Sequence, residues 1–279
     1  MTARSGILFL ITASLAASLA AGDERTRKLA QRLPEEAALF AREATKYASK
    51  EKLSQRALLY AQPIEGGLSR QAWRNTVVVS RYGFVSFLIA PESLEELRQI
   101  VSIDGKRAKT SLKSVASAIT ASNDLQKRKL LEDFQKAGLS GVATGLGQLL
   151  LLFSARTIEN YDFSFQSQRF IGADRVLVFT YAQVEGRGMT TYRGHDALHS
   201  KLSGEIWVDG DYRPLQVTLN SQVEAADKKL IRQEMEVQYS PSPYLCVLPT
   251  NARHRELHNG VLQAETLYEY TPFRPWEDK

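Results

Sequence analysis

The stretch Gly204-Glu205-Ile206-Trp207-Val208-Asp209-Gly210-Asp211-Tyr212-Arg213-Pro214-Leu215-Gln216-Val217-Thr218-Leu219-Asn220 decides the fold. Ile206 and Val208 alternate with Glu205, Trp207 and Asp209. Beyond Gly210-Asp211-Tyr212, Leu215, Val217 and Leu219 share one face, and Gln216, Thr218 and Asn220 share the other. A two-residue period on both sides of an Asp/Gly turn predicts a half-buried antiparallel hairpin. Pro214 has no amide to donate to a ladder, so it belongs at a strand start or an edge. Trp207 falls opposite Ile206 and Val208, outside the ordinary core face.

The same period extends outward from this hairpin. Tyr161, Phe163 and Phe165 alternate with Asp162, Ser164 and Gln166. Val176 to Tyr181 is apolar on both faces, as in a central strand covered on two sides. The segment Glu185–Ser200 reads as a polar loop. Ile231, Met235, Val237 and Tyr239 oppose Arg232, Glu234, Glu236 and Gln238; Leu245–Leu248 and Leu262–Tyr270 complete the run. Upstream, Thr76–Ser80 and Phe84–Ile89 are rich in β-branched and aromatic residues. Arg81-Tyr82-Gly83 joins them as a hairpin or as one long bent strand. Glu95–Ile103 forms another strand, ended by the turn signal Asp104-Gly105. Roughly nine mostly sequential strands result.

Helices supply the remaining apolar surface. Pro34 followed by Glu35-Glu36 predicts a helix start, with the acids at the positive end of the dipole. Phe40, Ala44, Tyr47 and Ala48 then form a stripe of helical spacing. Lys52–Tyr60 fits a helix or a strand. These readings divide the chain into an N-terminal helical segment at 23–62 and an antiparallel sheet domain at 63–279, with a helical insert at about 106–158. Within the insert, Leu112, Val115, Ala116 and Ile119 have helical spacing. Asn123 or Asp124 can cap a second helix carrying Leu130, Leu131 and Phe134, ended by Gly138. Leu149–Phe153 is too short to span a bilayer and reads as a buried helix. The class is α+β: a large curved antiparallel sheet with helices supplying its apolar cover.

Composition bounds the rest. The chain has 279 residues, 43% hydrophobic and 24% charged, with a formal net charge of +5. Arg4 is the only charge in the first 22 residues. It precedes an apolar run, Ile7–Ala20, too short for a membrane span, and small residues at Ser18–Gly22. This pattern predicts a secretory signal peptide at 1–22 and an exported, periplasmic or extracellular chain. No cysteine stands near the cleavage point to carry a lipid anchor. The remaining +4 is interspersed rather than clustered, which argues against a nucleic-acid partner and leaves room for peripheral contact with a membrane. The single cysteine, Cys246, lies in an apolar run and reads as a buried structural thiol.

Strand-Trp207-Val208-Asp209, a short turn, then Arg213-Pro214-Leu215-Gln216-Val217 resembles a hairpin of the outer-membrane lipoprotein carrier (LolA-like) superfamily. The order of signal peptide, N-terminal helix, early strands, helical insert and long meander is also similar to that group. The resemblance implies a half-open barrel whose concave face is covered by helices, with an apolar cavity that accepts acyl chains or a partner's apolar segment. Periplasmic sensors that bind an anti-sigma factor belong to the same superfamily. The chain departs from the carriers in its large insert, and no position is assigned to their basic cavity residue.

Candidate ligand-cavity residues are the apolar positions of the sheet: Phe163, Phe165, Leu177, Phe179, Tyr181, Leu215, Val217 and Tyr268. The competing assignment for each is plain core. The four histidines form two pairs of equal spacing, His195/His199 and His254/His258. On a helix this spacing allows a shared metal ion; on a strand it separates the rings by about 13 Å. Neither pair matches the metalloprotease helix motif, and solvated loop histidines are the simpler reading. Asp209 and Asp211 read as turn formers rather than as a general acid and base. No motif implies a cofactor and no catalytic constellation is present. The expected function is an exported, non-enzymatic binding protein for a lipid, an acyl chain or an apolar partner segment. An envelope sensor or protein-interaction module is the first alternative, and a metal-dependent hydrolase the second.

Overall fold

The computed structural model describes residues 6–63, 69–87, 90–108, 134, 138–139, 143, 145–186, 188–193, 196–225 and 227–276. The expected insert helices around Leu112–Ile119 and Asn123–Leu131 lie outside the described residues, as does His195. One α-helix, α1 (Gly6–Glu43), precedes the strands β1 (Tyr47–Pro63), β2 (Ser69–Phe87), β3 (Ala90–Ile103) and β4 (Lys106–Arg107). A 3₁₀ helix at Leu146–Phe153 leads to β5 (Tyr161–Ile171), β6 (Asp174–Gln183), β7 (Met189–Arg193), β8 (Asp196–Ser200) and β9 (Leu202–Val208). The chain ends with β10 (Pro214–Glu224), β11 (Leu230–Pro241), β12 (Val247–His258), β13 (Val261–Tyr270) and β14 (Arg274–Pro275). Among the described residues no helix is long and apolar enough to cross a membrane.

Eleven strands form one antiparallel path in the order β4-β3-β2-β1-β13-β12-β11-β10-β9-β6-β5, and β14 adds to β1. The path does not close on itself; β4 and β5 are its ends. The opening hairpin of the sequence reading is β9–β10. Its turn is held by Asp209, whose Oδ1 accepts from the amides of Asp211 (2.8 Å) and Arg213 (2.9 Å). Tyr212 takes the left-handed conformation at φ 64°. A register shift between Pro214 and Gln216 inserts one residue there. Pro214, Val217 and Leu219 are therefore the buried positions, and Leu215, expected to share their face, is only half-buried.

Several local expectations change. Pro34 lies inside α1 rather than at its first position. An interior proline removes a backbone hydrogen bond, but Leu29, Leu33, Ala37 and Phe40 form a fully buried stripe running past it. Packing of that stripe overrides the local preference. The helix ends at Glu43, so Tyr47 and Ala48 open β1 instead of extending the stripe. The ambiguous segment Lys52–Tyr60 is strand. Thr76–Ser80 and Phe84–Val85 belong to one long strand, β2. The expected loop Glu185–Ser200 contains the ribbon β7–β8, paired from Met189↔Ser200 to Arg193↔Asp196. Leu245 is a turn residue, with φ 71°. Leu149–Phe153 is helical, as a 3₁₀ turn with Leu149, Leu150 and Phe153 buried.

Sheet curvature follows from one residue. The amide of Gly147 donates to Glu96 Oε1 on β3 (2.9 Å), and its carbonyl accepts from the Tyr239 hydroxyl on β11 (3.5 Å). Five inter-strand steps separate β3 from β11, roughly 24 Å in a flat sheet. Two side chains and one glycine cannot bridge that distance, so the two wings curl toward each other around the 3₁₀ helix.

Candidate functional site

The concave face is best read as lateral rows, because register fixes which side chains are neighbours. One row is apolar across nine strands: Val78, Leu53, Tyr268, Ala252, Val237, Val217, Ile206, Phe179 and Phe165, each paired with the next. All but half-buried Phe165 are buried. The next row changes character midway. On β2, β1, β13 and β12 it reads Thr76, Gln55, Thr266, His254; on β11 and β10 it continues as Met235 and Leu219. On the other side of the apolar row, β2, β1 and β13 place Ser80, Glu51 and Tyr270 together. The concave face therefore has a polar wing, β3-β2-β1-β13-β12, and an apolar wing, β11-β10-β9-β6-β5.

The apolar wing is packed by aromatic rings. Phe153 of the 3₁₀ helix meets Tyr161, Phe163 and Tyr181 edge-on, with ring centroids 5.3, 5.7 and 5.0 Å away. Phe165 meets Phe179 at 5.4 Å, and the Arg25 guanidinium of α1 lies 4.6 Å above the Phe165 ring. The Tyr181 hydroxyl donates to Thr218 O (2.7 Å). Of the candidate cavity residues, Leu177, Phe179, Tyr181, Val217 and Tyr268 are buried, while Phe163, Phe165 and Leu215 are half-buried. Seven of the eight belong to the core and its packed margin, and Leu215 stands apart at the bulge.

The polar wing holds a buried ion cluster that sequence reading missed. Arg98 on β3 and Glu51 on β1 both have side chains only 1% exposed. The Arg98 Nε donates to both Glu51 oxygens (3.0 and 2.8 Å), and Nη2 donates to Oε1 (2.9 Å). Its Nη1 donates to Glu96 Oε2 (2.5 Å). Glu96 also accepts from the Tyr82 hydroxyl (2.8 Å) and from the amides of Gly145 (2.7 Å) and Gly147 (2.9 Å). The guanidinium lies over the rings of Tyr82 (5.0 Å) and Tyr268 (5.8 Å).

Two carboxylates share one guanidinium, and their environments separate them. Burial pushes the Glu51 carboxyl up, and attraction to Arg98 offsets this only in part. Burial also opposes the charge on Glu96, but Arg98, the two glycine amides and Tyr82 outweigh it and hold this carboxyl below the ordinary range. The signal in the sequence was an inward period of two, Glu96 and Arg98, inside a segment that looks solvent-facing. Arg98 is the only buried guanidinium or ammonium group among the described residues.

The row Thr76–Gln55–Thr266–His254 is equally enclosed, with exposures of 2, 3, 0 and 2%. Gln55 Nε2 donates to Thr266 Oγ1 (2.9 Å), and the His254 Nε2 meets Gln233 Oε1. The hydroxyls of Thr76 and Ser80 have no hydrogen-bond partner among the described residues. A buried hydroxyl left in that state costs about 1–3 kcal/mol.

The histidines are not loop residues where they are described. His254 and His258 both lie on β12, so strand spacing sets them about 13 Å apart. Their ring nitrogens have separate partners: Gln233 for His254, and Glu256 Oε1 at 2.6 Å for His258. His199 lies on β8 with Thr190 Oγ1 3.1 Å from its Nδ1. Among the described residues no group of three or more His, Cys, Asp or Glu is arranged to hold a metal ion. Cys246 is buried, and burial pushes its thiol up, which disfavours the nucleophilic thiolate. Trp207 faces away from the concave side; its Nε1 donates to Glu205 Oε2 (2.9 Å) and Arg169 lies 4.8 Å above its ring.

No protein-family model matches the chain, and no curated protein matches it in sequence. Two solved structures are similar along nearly the whole chain. One is a LolA superfamily protein from Nitrosomonas europaea, at 10% identity and a TM-score of 0.30, covering 90% of this chain and 94% of the other. The second is a DUF1329 family protein from Desulfovibrio piger, at 10% identity and a TM-score of 0.34, covering 92% of this chain and 94% of the other. Likeness at this level carries no argument about function.

Proposed function

We propose that this protein is an exported, non-enzymatic binding protein of the carrier type. Its cargo is a lipid, an acyl chain or an apolar segment of a partner, held against the concave face of the sheet. The supporting observation is the unbroken apolar row from Val78 to Phe165. The row is nine strands wide and packed in one core with Leu33 and Phe40 of α1 and Phe153 of the 3₁₀ helix; the cargo takes the place of part of that helical cover, along a track of the shape of an acyl group. The lining residues assigned to the cargo are Phe163, Phe165, Leu177, Phe179, Tyr181, Leu215, Val217 and Tyr268. Residues 1–22 act as the export signal, and the mature chain works in the periplasm or outside the cell.

The test is direct. Gently purified protein is extracted with organic solvent and the extract is analysed by mass spectrometry, alongside thermal melts with added lipid. A stoichiometric amphiphile, or a rise in melting temperature with lipid, is the expected result. Absence of both a bound amphiphile and lipid stabilisation would overturn the reading.

A further inference from the structure

We infer that β5 is the interface of a symmetric dimer: two copies of this chain pair antiparallel along their β5 edges and continue one sheet into the other. The inference is independent of the carrier reading above. It rests on the finding that β5, reversed, matches itself in one long register.

The two ends of the sheet are unlike. β4, at one end, has two residues, Lys106 and Arg107, both exposed. A short, charged edge strand resists pairing with another chain. β5, at the other end, has eleven residues, none of them lysine or proline. Among the described residues no strand lies along its outer edge. It ends in Phe170 and Ile171, 67% and 56% exposed. A long edge strand without these protections is a template for another strand.

Backbone direction fixes the register. The Val184 amide donates to Asn160 O (2.8 Å), so this pair is a hydrogen-bonded one. Alternation along the ladder then turns the amides and carbonyls of Tyr161 and Phe163 away from β6, toward the open edge. The register shift between Phe165 and Ser167 inserts one residue into β5. Beyond it the outward positions are Gln168 and Phe170, which oppose Leu177 and Arg175, in step with Tyr181 and Gln183. Turned end for end, this set superimposes on itself. Phe163 falls opposite Gln168 of a second copy, and Tyr161 opposite Phe170. Between these hydrogen-bonded pairs, Asp162 falls opposite Arg169 and Ser164 opposite Ser167.

The side chains agree with that register. Asp162 and Arg169 are both exposed, and Arg169 lies on the convex face over Trp207. Seven residues apart on a regular strand, they would point to opposite faces. The inserted residue brings them to the same one. The two-fold axis makes the Asp162–Arg169 pair twice, at non-hydrogen-bonded positions where opposed Cα atoms stand about 4.5 Å apart. Phe170, exposed in one copy, gains Tyr161 of the other as its neighbour. A register centred on Arg169 would instead set two guanidinium groups against each other. The order of charges along β5 therefore selects a second copy as the occupant of this edge.

The experiment is sedimentation velocity of the mature chain, begun at Asp23, over a concentration series. A reversible dimer with a dissociation constant of about 100 µM or lower is expected. Arg169→Glu sets acids opposite each other and should weaken the dimer by about tenfold, and Asp162→Arg should do the same with bases. The exchange Asp162→Arg with Arg169→Glu should restore it to within about threefold of the wild type. Gln168→Pro removes an amide that faces the open edge rather than β6. The monomer should keep its circular dichroism spectrum while the dimer is lost. A wild-type chain that stays monomeric at about 500 µM overturns the interface. A dimer that survives Gln168→Pro, that ignores the single reversals, or that the exchange does not rescue overturns it as well.

Discussion

The two wings of the concave face solve the same packing problem with opposite chemistry. β11-β10-β9-β6-β5 presents Val237, Val217, Ile206 and Phe179 inward and meets Phe153 through aromatic edges. β3-β2-β1-β13-β12 presents Arg98, Glu51, Gln55, Thr266 and His254, all buried. In the first wing stability comes from apolar area removed from water, which tolerates small changes of shape. In the second it depends on each charge keeping its partner, because a buried ion left alone is far costlier than a buried ion pair is beneficial. The lesson is that burial in this sheet does not predict apolarity, and the difference between the wings is measurable.

The largest effect is expected at Arg98. Arg98→Met leaves Glu51 and Glu96 buried without a cation and should cost about 3–5 kcal/mol, read from the urea midpoint. Combining it with Glu51→Leu should recover part of that loss, since Glu96 retains the Gly145 and Gly147 amides and Tyr82. If the double variant is no better than the single one, the wing is not organised around the ion cluster.

Opposite pH slopes come next. The Glu96 carboxyl is held below the ordinary range, so its contribution is present above that range and is lost as pH falls through the lowered value. The deficit of Glu96→Gln should be greatest near neutrality and shrink in acid. The Glu51 carboxyl is pushed up, so its contribution is present below the ordinary range and is lost as pH rises through the raised value. The deficit of Glu51→Gln should be greatest in acid and shrink toward neutrality. Urea midpoints across a pH series check both, and parallel slopes would contradict the division of roles between the two carboxylates.

In the apolar wing, Ile206→Val should cost only about 0.5–1.5 kcal/mol, with no pH dependence beyond that of the wild type. Smaller still is the convex side, where Lys52 and Glu269 form an exposed pair at 2.8 Å. Glu269→Gln should change stability by no more than about 0.5 kcal/mol, and less in high salt.

The apolar wing was legible in the sequence because its strands alternate cleanly. Ile206 and Val208 against Glu205 and Trp207 say at once which face is inside, and the structure agrees. The class and the curved antiparallel sheet followed from that pattern. The polar wing was not legible, for a physical reason. In Lys50-Glu51-Lys52-Leu53-Ser54-Gln55-Arg56-Ala57 both faces carry polar residues, so the period of two has no hydrophobic contrast to reveal it. That is why Lys52–Tyr60 could be read as helix or strand. Arg98 was hidden in the same way, among Glu95 and Glu96, where charge normally signals solvent. Pro34 misled for another reason: it marks helix starts on average, whereas here the Leu29–Phe40 stripe carries the helix past it. The histidine pair on β12 shows that spacing alone has no meaning until the element is known.

One consequence of the Gly147 bridge concerns assembly. The apolar wing is built from strands close in sequence, whereas the polar wing also needs the pairing of β1 with β13, as in Leu53 with Tyr268. Joined edge to edge by β11 and β12, the wings also meet across the concave face, through a residue 51 positions from Glu96 and 92 from Tyr239. A side chain at 147 would run into the Tyr82 hydroxyl, so the space where they meet is set by the absence of a Cβ. The inward curl is therefore a long-range contact, as the β1–β13 pairing is, and both carry a loop-closure entropy that local strand pairing does not. Gly147 thus closes the concave side of a sheet whose two wings are already continuous through β11 and β12.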